Sequence, residues 1–315
     1  MLGYIGVTDH EWFQFLASEP PLDEVNFWRP SDLRTPQQLV PGTPFLFKLK
    51  ARHGDHIVGF GIFARHEVLP IWLAWDTFGR KNGGPDFATL RRQVGRLRGG
   101  IQSGSNSEGD YRIGCVMLSE PVWFQREHWV APPADWPANA VQGKSYNMSA
   151  GEGARVWEAC KAAAAASPNM AAAAGGGLLS AAPRYGAPVP VAPRLGQGTF
   201  RLAVTSAYSR SCAVTGEHSL PALEAAHIRP YGDGGEHEVS NGLLLRSDIH
   251  RLFDTGYVGV TPDYKFVVSD RLRGDYSNGR SYYPLNGQPI VLPQVREEWP
   301  SAEALAWHGD VVLKR

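Results

Sequence analysis

A segment of low complexity divides this chain in two. Residues 167–198 are rich in Ala, Gly and Pro and contain few charged side chains. A segment of that composition cannot bury enough apolar surface to offset the entropy lost on ordering it. We therefore expect a flexible linker at 167–198, a first domain at 1–166 and a second domain at 199–315. The total of 315 residues is enough for two separate hydrophobic cores.

The second domain contains three polar residues in a distinctive order, His227, Asn241 and His250. His227 ends a short apolar segment and precedes a Gly-rich turn, while Asn241 comes shortly before three consecutive leucines. His250 lies in a segment that has helical spacing from Ser247 to Phe253. We predict a strand, a loop, a second strand and a helix, which would bring the three polar side chains to one cleft.

The sequences around these residues, A-H-I-R-P, N-G-L-L-L and D-I-H-R-L-F-D, strongly resemble the HNH endonuclease family over about residues 199–275. Members of that family have a ββα-metal fold, hold one divalent cation and hydrolyse phosphodiester bonds. The resemblance implies that His227 is the general base and His250 a metal ligand. It also implies that Asn241 positions the loop, the metal or the catalytic His, and Asn241 is counted with His250 and Glu224 among the candidate metal ligands. An imidazole suits proton transfer near neutral pH, and a cation stabilises charge on the phosphate.

The sequence departs from the family pattern at Ala226, where many members carry an Asp or His that ligates the metal. Glu224 lies two residues earlier, on the same face of the predicted strand, and its longer carboxylate could replace the missing ligand. A solvent-facing Glu224 is equally compatible with the sequence. Asp248 and Asp254 are further oxygen donors nearby, although Asp248 also suits the first turn of a helix.

The expected cofactor is one divalent metal ion, Mg²⁺ or Mn²⁺ or another transition metal. Some HNH proteins also carry a structural zinc held by four cysteines. The cysteines of this chain, Cys115, Cys160 and Cys212, form no C-x-x-C pair and are too few for such a site. We therefore expect no structural zinc.

The first domain alternates like a set of strands at 3–8, 44–49, 56–64 and 112–118. Its motifs G-Y-I-G-V-T-D, V-N-F-W-R-P-S, G-T-P-F-L-F-K-L-K and I-V-G-F-G-I-F-A resemble the PUA-like superfamily, especially EVE-type domains. Such domains are small β-barrels that bind a modified nucleobase in an aromatic pocket. The resemblances together imply an α+β chain, in which a β-barrel recognition domain is joined by a flexible linker to a ββα-metal nuclease domain.

The candidate base pocket rests on aromatic residues beside polar residues. An extruded base needs a flat apolar wall to stack on and polar groups for its Watson–Crick edge. Trp28 with Asn26, in a predicted loop, could supply both, as could Trp75 with Asp76 beside Trp72. Each Trp could instead be a core residue. Asn26 and Trp28 are favoured because their place matches the EVE pattern.

Contacts to DNA phosphates would depend on local clusters of cations. The 31 Lys and Arg residues balance the 31 Asp and Glu residues, so the overall field does not attract a polyanion. Arg91, Arg92 and Arg96 lie in one predicted helix, and Lys48 and Lys50 alternate at the end of a predicted strand. Both sets suit phosphate contacts, with a merely solvated face as the alternative for the arginines.

These features favour a modification-dependent restriction endonuclease, which recognises modified cytosine such as 5-methylcytosine in double-stranded DNA and cuts it. One alternative is an HNH endonuclease whose first domain reads sequence or structure without regard to modification. Another is a non-catalytic nucleic-acid-binding protein with a degenerate HNH fold, as Ala226 suggests. One HNH site hydrolyses one strand, so double-strand cleavage would require a homodimer or a second encounter.

We also expect a cytoplasmic protein without a membrane partner. The first residues contain no basic segment followed by an apolar run, and the sequence has no stretch of about eighteen consecutive apolar residues.

Overall fold

The structure is a computed structural model that describes residues 1–30, 39–98, 112–138, 140–166, 195–277 and 279–314. The chain divides into two compact units, Met1–Pro193 and Arg194–Arg315. Most of the predicted linker, up to residue 194, lies outside the described residues. Its last two positions, Gln197 and Gly198, already belong to a helix.

The N-terminal unit contains one sheet of six strands in the order β2-β5-β4-β3-β1-β6. The strands are β1 (Leu2–Thr8), β2 (Glu24–Arg29), β3 (Pro44–Leu49), β4 (Ile57–Pro70), β5 (Arg112–Trp123) and β6 (Gly143–Asn147). β1 runs parallel to β3, and the other neighbouring strands are antiparallel.

The prediction of a closed β-barrel is wrong for the described residues. Closure would require the two outer strands to pair with each other. Instead β6 pairs with β1 along Leu2–Gly6, β2 pairs with β5, and within the described ranges no pairing joins β2 to β6. The sheet is therefore open, in a mixed α/β unit.

Four helices accompany this sheet in the described residues: α1 (His10–Ser18), α2 (Ile71–Phe78), α3 (Phe87–Leu97) and α4 (Gly151–Ala165). The carboxylate of Asp9 caps α1 by accepting from the backbone N–H groups of Glu11 and Trp12. Asp86 caps α3 in the same way through the N–H of Thr89. A capping carboxylate satisfies N–H groups that lack a partner within the helix, which explains why both helices begin where they do.

Both faces of β2 and β3 are covered. Every residue of these two strands is buried, including the polar residues Asn26 and Lys48. A strand covered on both faces does not show the alternation of a half-exposed strand. The fully buried rings of Phe45 and Phe47 pack with Phe27 from β2 at centroid distances of 4.8 and 6.3 Å.

The C-terminal unit begins with α5 (Gln197–Ala207) and continues into a two-stranded antiparallel ribbon and a helix. The ribbon consists of β7 (Leu223–His227) and β8 (Gly242–Arg246), and the helix is α6 (Ser247–Asp254). This order confirms the predicted succession of strand, loop, strand and helix. A second ribbon, β9 (Val258–Val260) and β10 (Phe266–Val268), precedes α7 (Arg271–Tyr276) and α8 (Ala302–Val311).

The core of this unit fixes the helix that carries His250. Ile249 and Phe253 of α6 are buried together with Leu243, Leu244 and Leu245 of β8. His308 of α8 stacks on Phe253 at a centroid distance of 3.7 Å, with its Nε2 atom 3.0 Å from the carbonyl oxygen of Phe253. α6 is thus packed from both sides.

No helix within the described ranges is both long enough and apolar enough to cross a membrane.

Candidate active site

His227, the last residue of β7, has its imidazole held by two contacts. The ring stacks on Phe200 of α5 at a centroid distance of 4.0 Å and an interplanar angle of 13°. Its Nε2 atom lies 2.8 Å from Nδ1 of His237. The strand residue opposite His227 is Gly242, where an added Cβ would lie 2.5 Å from Val204 of α5. Glycine at that position therefore lets α5 approach closely enough for the stack to form.

The environment keeps His227 neutral. Burial, with smaller contributions from the nearby His237 and His250, lowers the pKa of His227 from 6.5 to about 4. Burial disfavours the charged form, and two further imidazoles disfavour a positive charge between them. At neutral pH the ring is therefore able to accept a proton.

His237 is a site residue that sequence reasoning missed. It lies in the loop between β7 and β8, where it bonds His227 and stacks on Tyr231 at a centroid distance of 5.1 Å. The available signal was a His in the Gly-rich loop that separates two predicted site residues.

Asn241 fastens this loop. Its Oδ1 atom accepts from the backbone N–H of Arg229, and its Nδ2 atom donates to the carbonyl oxygens of Arg229 and Glu236, all at 2.9 Å. The residue is only 7% exposed. An added Cβ at Gly235 would lie 2.8 Å from this amide and 1.9 Å from the Arg229 carbonyl oxygen. The backbone therefore approaches Asn241 as only glycine allows.

The predicted role of Asn241 as a metal ligand does not match this geometry. Both ends of the amide are already bonded to backbone groups, which uses its two donors and one of the lone pairs of its oxygen. Asn241 is instead a positioning residue, which sets the loop that carries His237.

His250 lies between two carboxylates. Its Nδ1 atom is 2.7 Å from Oε2 of Glu224, and its Nε2 atom is 3.3 Å from Oδ2 of Asp254. Glu224 reaches the helix because β7 runs beside α6, and its side chain remains 45% exposed. Glu224 therefore lies beside His250 while its side chain is partly open to solvent. Ala226 is fully buried in the core.

The side chains beside His250 are of the kinds that divalent cations accept as ligands. Within the described ranges, no group of three or more His, Cys, Asp and Glu side chains is arranged to hold a metal ion. The imidazole of His250 and the carboxylate of Glu224 are nevertheless adjacent, and Mg²⁺, Mn²⁺ and other transition metals accept such donors. His250 and Glu224 would hold the cation, with water and phosphate oxygens as the remaining ligands.

Asp248, the acidic residue in the first turn of α6, is engaged elsewhere. Arg246 donates to both of its carboxylate oxygens at 2.7 Å, and the hydroxyl of Tyr282 donates to it at 2.9 Å. These bonds, that of Arg246 above all, lower the pKa of Asp248 to about 2. Asp248 therefore stabilises the junction between β8 and α6.

The predicted base pocket at Asn26 and Trp28 requires a correction. Both residues lie in β2, not in a loop. The indole of Trp28 is 9% exposed and donates through Nε1 to the carbonyl oxygen of Asn82 at 2.8 Å. Asn26 is fully buried and donates through Nδ2 to Oδ1 of Asn82 at 2.8 Å. Burial on both faces of β2 directs these side chains into the core, so they form no open wall for a base.

The other predicted pocket residues lie on α2. Trp72, Trp75 and Asp76 have the spacing i, i+3 and i+4, so they share one face of that helix. Trp72 is 41% exposed, and Asp76 is also exposed. Trp75 is half-buried, with its ring 6.4 Å from that of Phe87 in α3. This face of α2 is therefore the accessible part of the predicted pocket.

A predicted phosphate contact, Lys48, also requires correction. Its side chain is 3% exposed and forms an ion pair with Asp55. The ammonium lies 4.9 Å from the centroid of the Trp136 ring. A buried and paired ammonium is not available to DNA. Lys50, two residues further on, is half-buried at the end of the strand.

The predicted arginines of α3 differ among themselves. Arg96 forms an exposed ion pair with Glu11 at 3.1 Å. Arg92 is exposed and donates to the hydroxyl of Thr89 at 2.9 Å, while Arg91 is half-buried. Because an exposed ion pair contributes little to stability, Arg96 can exchange Glu11 for a phosphate at small cost.

We expect Trp28→Ala to destabilise the N-terminal unit by about 3–5 kcal/mol, because the substitution leaves a cavity and removes the indole bond to Asn82. Trp72→Ala is the matched control and should change the free energy of unfolding by about 0.5 kcal/mol or less, because its side chain is exposed. Denaturant unfolding followed by tryptophan fluorescence measures both. An unchanged unfolding midpoint for Trp28→Ala would contradict its position in the core.

Comparison with known proteins identifies the C-terminal segment. Residues 212–261 match a family model described as HNH endonuclease, which places an HNH endonuclease domain over β7, β8 and α6. No curated protein matches the sequence. Among solved structures, the chain aligns with one titled "Modification dependent TagI restriction endonuclease". That alignment has 15% identity and a TM-score of 0.29, and covers 94% of this chain and 78% of the other.

Proposed function

We propose that this chain is a metal-dependent DNA endonuclease that hydrolyses phosphodiester bonds of double-stranded DNA with one divalent cation. The observation that carries the proposal is that one ββα segment holds both a group able to accept a proton and side chains able to bind a cation. His227 is neutral and able to accept a proton, and it lies close enough to His250 for that imidazole to disfavour a positive charge on His227. His250 and Glu224 present the nitrogen and oxygen donors of a cation site.

His227 is the general base in this proposal. In this proposal the single N–H of the neutral imidazole is on Nε2 and points to Nδ1 of His237, 2.8 Å away, so that Nδ1 of His227 is the basic nitrogen. Nδ1 takes a proton from the water that attacks the phosphorus atom. The stack on Phe200 fixes the plane of the ring, and therefore the direction of this nitrogen.

His250 and Glu224 would hold the cation, which would stabilise the charge that develops on the phosphate and on the departing oxygen. Asn241 contributes indirectly. By fastening the backbone at Arg229 and Glu236, it sets the position of His237, which in turn orients His227.

The pH dependence of cleavage should reflect the lowered pKa of His227. A base must be unprotonated to act, so activity from this group is present above a pH of about 4 and is lost as the pH falls through that value. The acid limb of a single-turnover pH profile should therefore lie well below 6.5. His237→Gln removes one neighbouring imidazole and should move that limb towards 6.5. A wild-type limb at 6.5 would contradict the assignment.

The test of the nuclease function is nicking of supercoiled plasmid DNA by the purified chain with Mg²⁺ or Mn²⁺. We expect conversion to open-circular and linear forms in a metal-dependent manner. Absence of cleavage on modified and unmodified plasmids, with either cation, would contradict the proposal and favour a DNA-binding protein without catalysis.

We also propose that the N-terminal unit recognises modified cytosine by stacking an extruded base on Trp72. Support comes from the face of α2, where an exposed indole accompanies the carboxylate of Asp76. α2 packs on α3, which carries the exposed Arg92. An aromatic wall, a polar group and a nearby cation together suit a base and its phosphate.

Digestion of matched duplexes that contain cytosine, 5-methylcytosine or 5-hydroxymethylcytosine tests this recognition. We expect a preference for modified DNA that Trp72→Ala reduces by about 5- to 150-fold, as stacking contributes about 1–3 kcal/mol per base. Cleavage of unmodified DNA should persist in the variant. Equal cleavage of all three duplexes by the wild-type chain would leave a nuclease that does not read modification.

A further inference from the structure

A cleft of about 470 Å³ lies beside the nuclease helix α6. Its lining excludes His227, His250 and Glu224, so it is distinct from the candidate active site. The walls come from α6, from α7 and from the segment that follows α7, and include Arg251, Thr255, Tyr257, Tyr276, Arg280 and Tyr282.

Two exposed guanidinium groups, Arg251 and Arg280, line this cleft. In the part of the chain that the structure describes, neither is paired with a carboxylate. Other arginines nearby are paired: Arg271 binds Asp275 at 3.0 Å and Arg246 binds Asp248 at 2.7 Å. The cleft therefore combines two available cations with a hydrogen-bonding wall of tyrosines.

Asp275, the acidic residue that precedes the lining residue Tyr276, is also engaged. It accepts from Arg271 and from the hydroxyl of Tyr257, the latter at 3.0 Å. Both bonds lower the pKa of Asp275, that of Tyr257 most. Tyr276 is 62% exposed at the cleft, with its hydroxyl 3.4 Å from that of Tyr257. An anion in the cleft would therefore meet hydrogen-bond donors. The negative charge of Asp275 would repel it little, because Arg271 and Tyr257 already donate to that carboxylate.

The position of Arg251 connects the cleft to the active site. Successive residues of an α-helix are separated by about 100° around its axis, since one turn contains about 3.6 residues. His250 and Asp254 therefore lie on one face of α6, while Arg251 and Thr255 lie on the neighbouring face. A polyanion that crosses α6 would meet His250 and Arg251 in succession.

We propose that this cleft binds the phosphodiester backbone of the DNA strand next to the phosphate that is cleaved. Arg251 and Arg280 each contact a phosphate, for which the planar guanidinium supplies two parallel N–H donors. The inference rests on the proposed nuclease function and adds to it a site that positions the cut strand. Contacts of this kind fix the register of the strand and carry no base specificity.

The test uses the full chain with His227→Ala, so that bound DNA stays intact. Its affinity for a short fluorescent duplex is measured by anisotropy over a series of salt concentrations. Arg251→Gln and Arg280→Gln should each reduce the slope of log K against log salt by about 0.9, because each removes one phosphate contact. The loss of affinity should be the same for duplexes of different sequence, and Arg251→Lys should retain the slope.

Arg210→Gln is the matched control, because Arg210 is an exposed cation of the same unit that does not line the cleft. Its slope should equal that of the parent chain. An equal reduction in all three variants would mean that the general surface charge is responsible and would overturn the cleft assignment. Unchanged slopes for Arg251→Gln and Arg280→Gln, in a chain whose wild type cuts DNA, would overturn this inference alone. A wild-type chain that neither binds nor cuts DNA would overturn both proposals.

Discussion

His227→Ala should lower the rate of DNA cleavage by about 10²–10⁴-fold, the typical contribution of a general base. The imidazole is neutral at physiological pH, and Phe200 and His237 hold it in one orientation. Alanine removes the imidazole that this arrangement orients. Affinity for DNA should remain, because binding is proposed to depend on other residues. Single-turnover cleavage of a labelled duplex, with affinity measured separately, distinguishes the two effects.

His218→Ala is the matched control for this variant. His218 is an exposed histidine of the same unit, and the bonds near it run from backbone N–H groups to Glu217. Its cleavage rate should equal that of the wild type. A near-wild-type rate for His227→Ala would mean that another group is the base. Since His237 lies 2.8 Å from His227, the double variant would identify it as the substitute.

Removal of the divalent cation should abolish cleavage, and adding Mg²⁺ or Mn²⁺ after the chelator should restore it. His250→Ala should cause a loss that only high metal concentration reverses, because one of the two adjacent donors is removed. Glu224→Gln should raise the metal concentration needed for half-maximal cleavage, since an amide oxygen is a weaker donor than a carboxylate. Titration of cleavage rate against metal concentration measures all three effects.

Asp248→Asn is a suitable control for the metal titration. Asp248 belongs to the same helix, yet its oxygens are engaged by Arg246 and Tyr282. The metal requirement should not change in this variant, although its stability should fall. Cleavage that persists in excess chelator would contradict metal dependence, and an unchanged requirement in Glu224→Gln would make Glu224 a solvent-facing residue.

The strand, loop, strand and helix of the nuclease segment could be predicted because their signals are local. A Gly-rich turn, three leucines and a helical spacing follow one another within 223–254. The alternation of side chains along a strand predicted that Glu224 lies on the same face as Ala226 and could replace the missing ligand. The contact between His227 and His237 could not be predicted, because it depends on how a loop without regular periodicity folds back.

The N-terminal unit was harder to predict because its decisive contacts are distant in sequence. Trp28 is a core residue because Asn82, 54 residues away, accepts its indole N–H. Lys48 can be buried because its ammonium forms an ion pair with Asp55 and lies over the ring of Trp136. The open sheet results from the pairing of β6 with β1 across most of the unit. None of these partners is indicated by periodicity or composition.

The three hydrogen bonds of Asn241 hold together the two ends of the loop between β7 and β8. Because one amide joins Arg229 to Glu236, the position of these two ends does not depend on the conformation of the loop tip. At Gly232, near the tip, an added Cβ would meet no atom within 4 Å, whereas at Gly235 it would collide with the backbone. The tip can therefore accept substitutions or inserted residues while the imidazole of His227 stays in place.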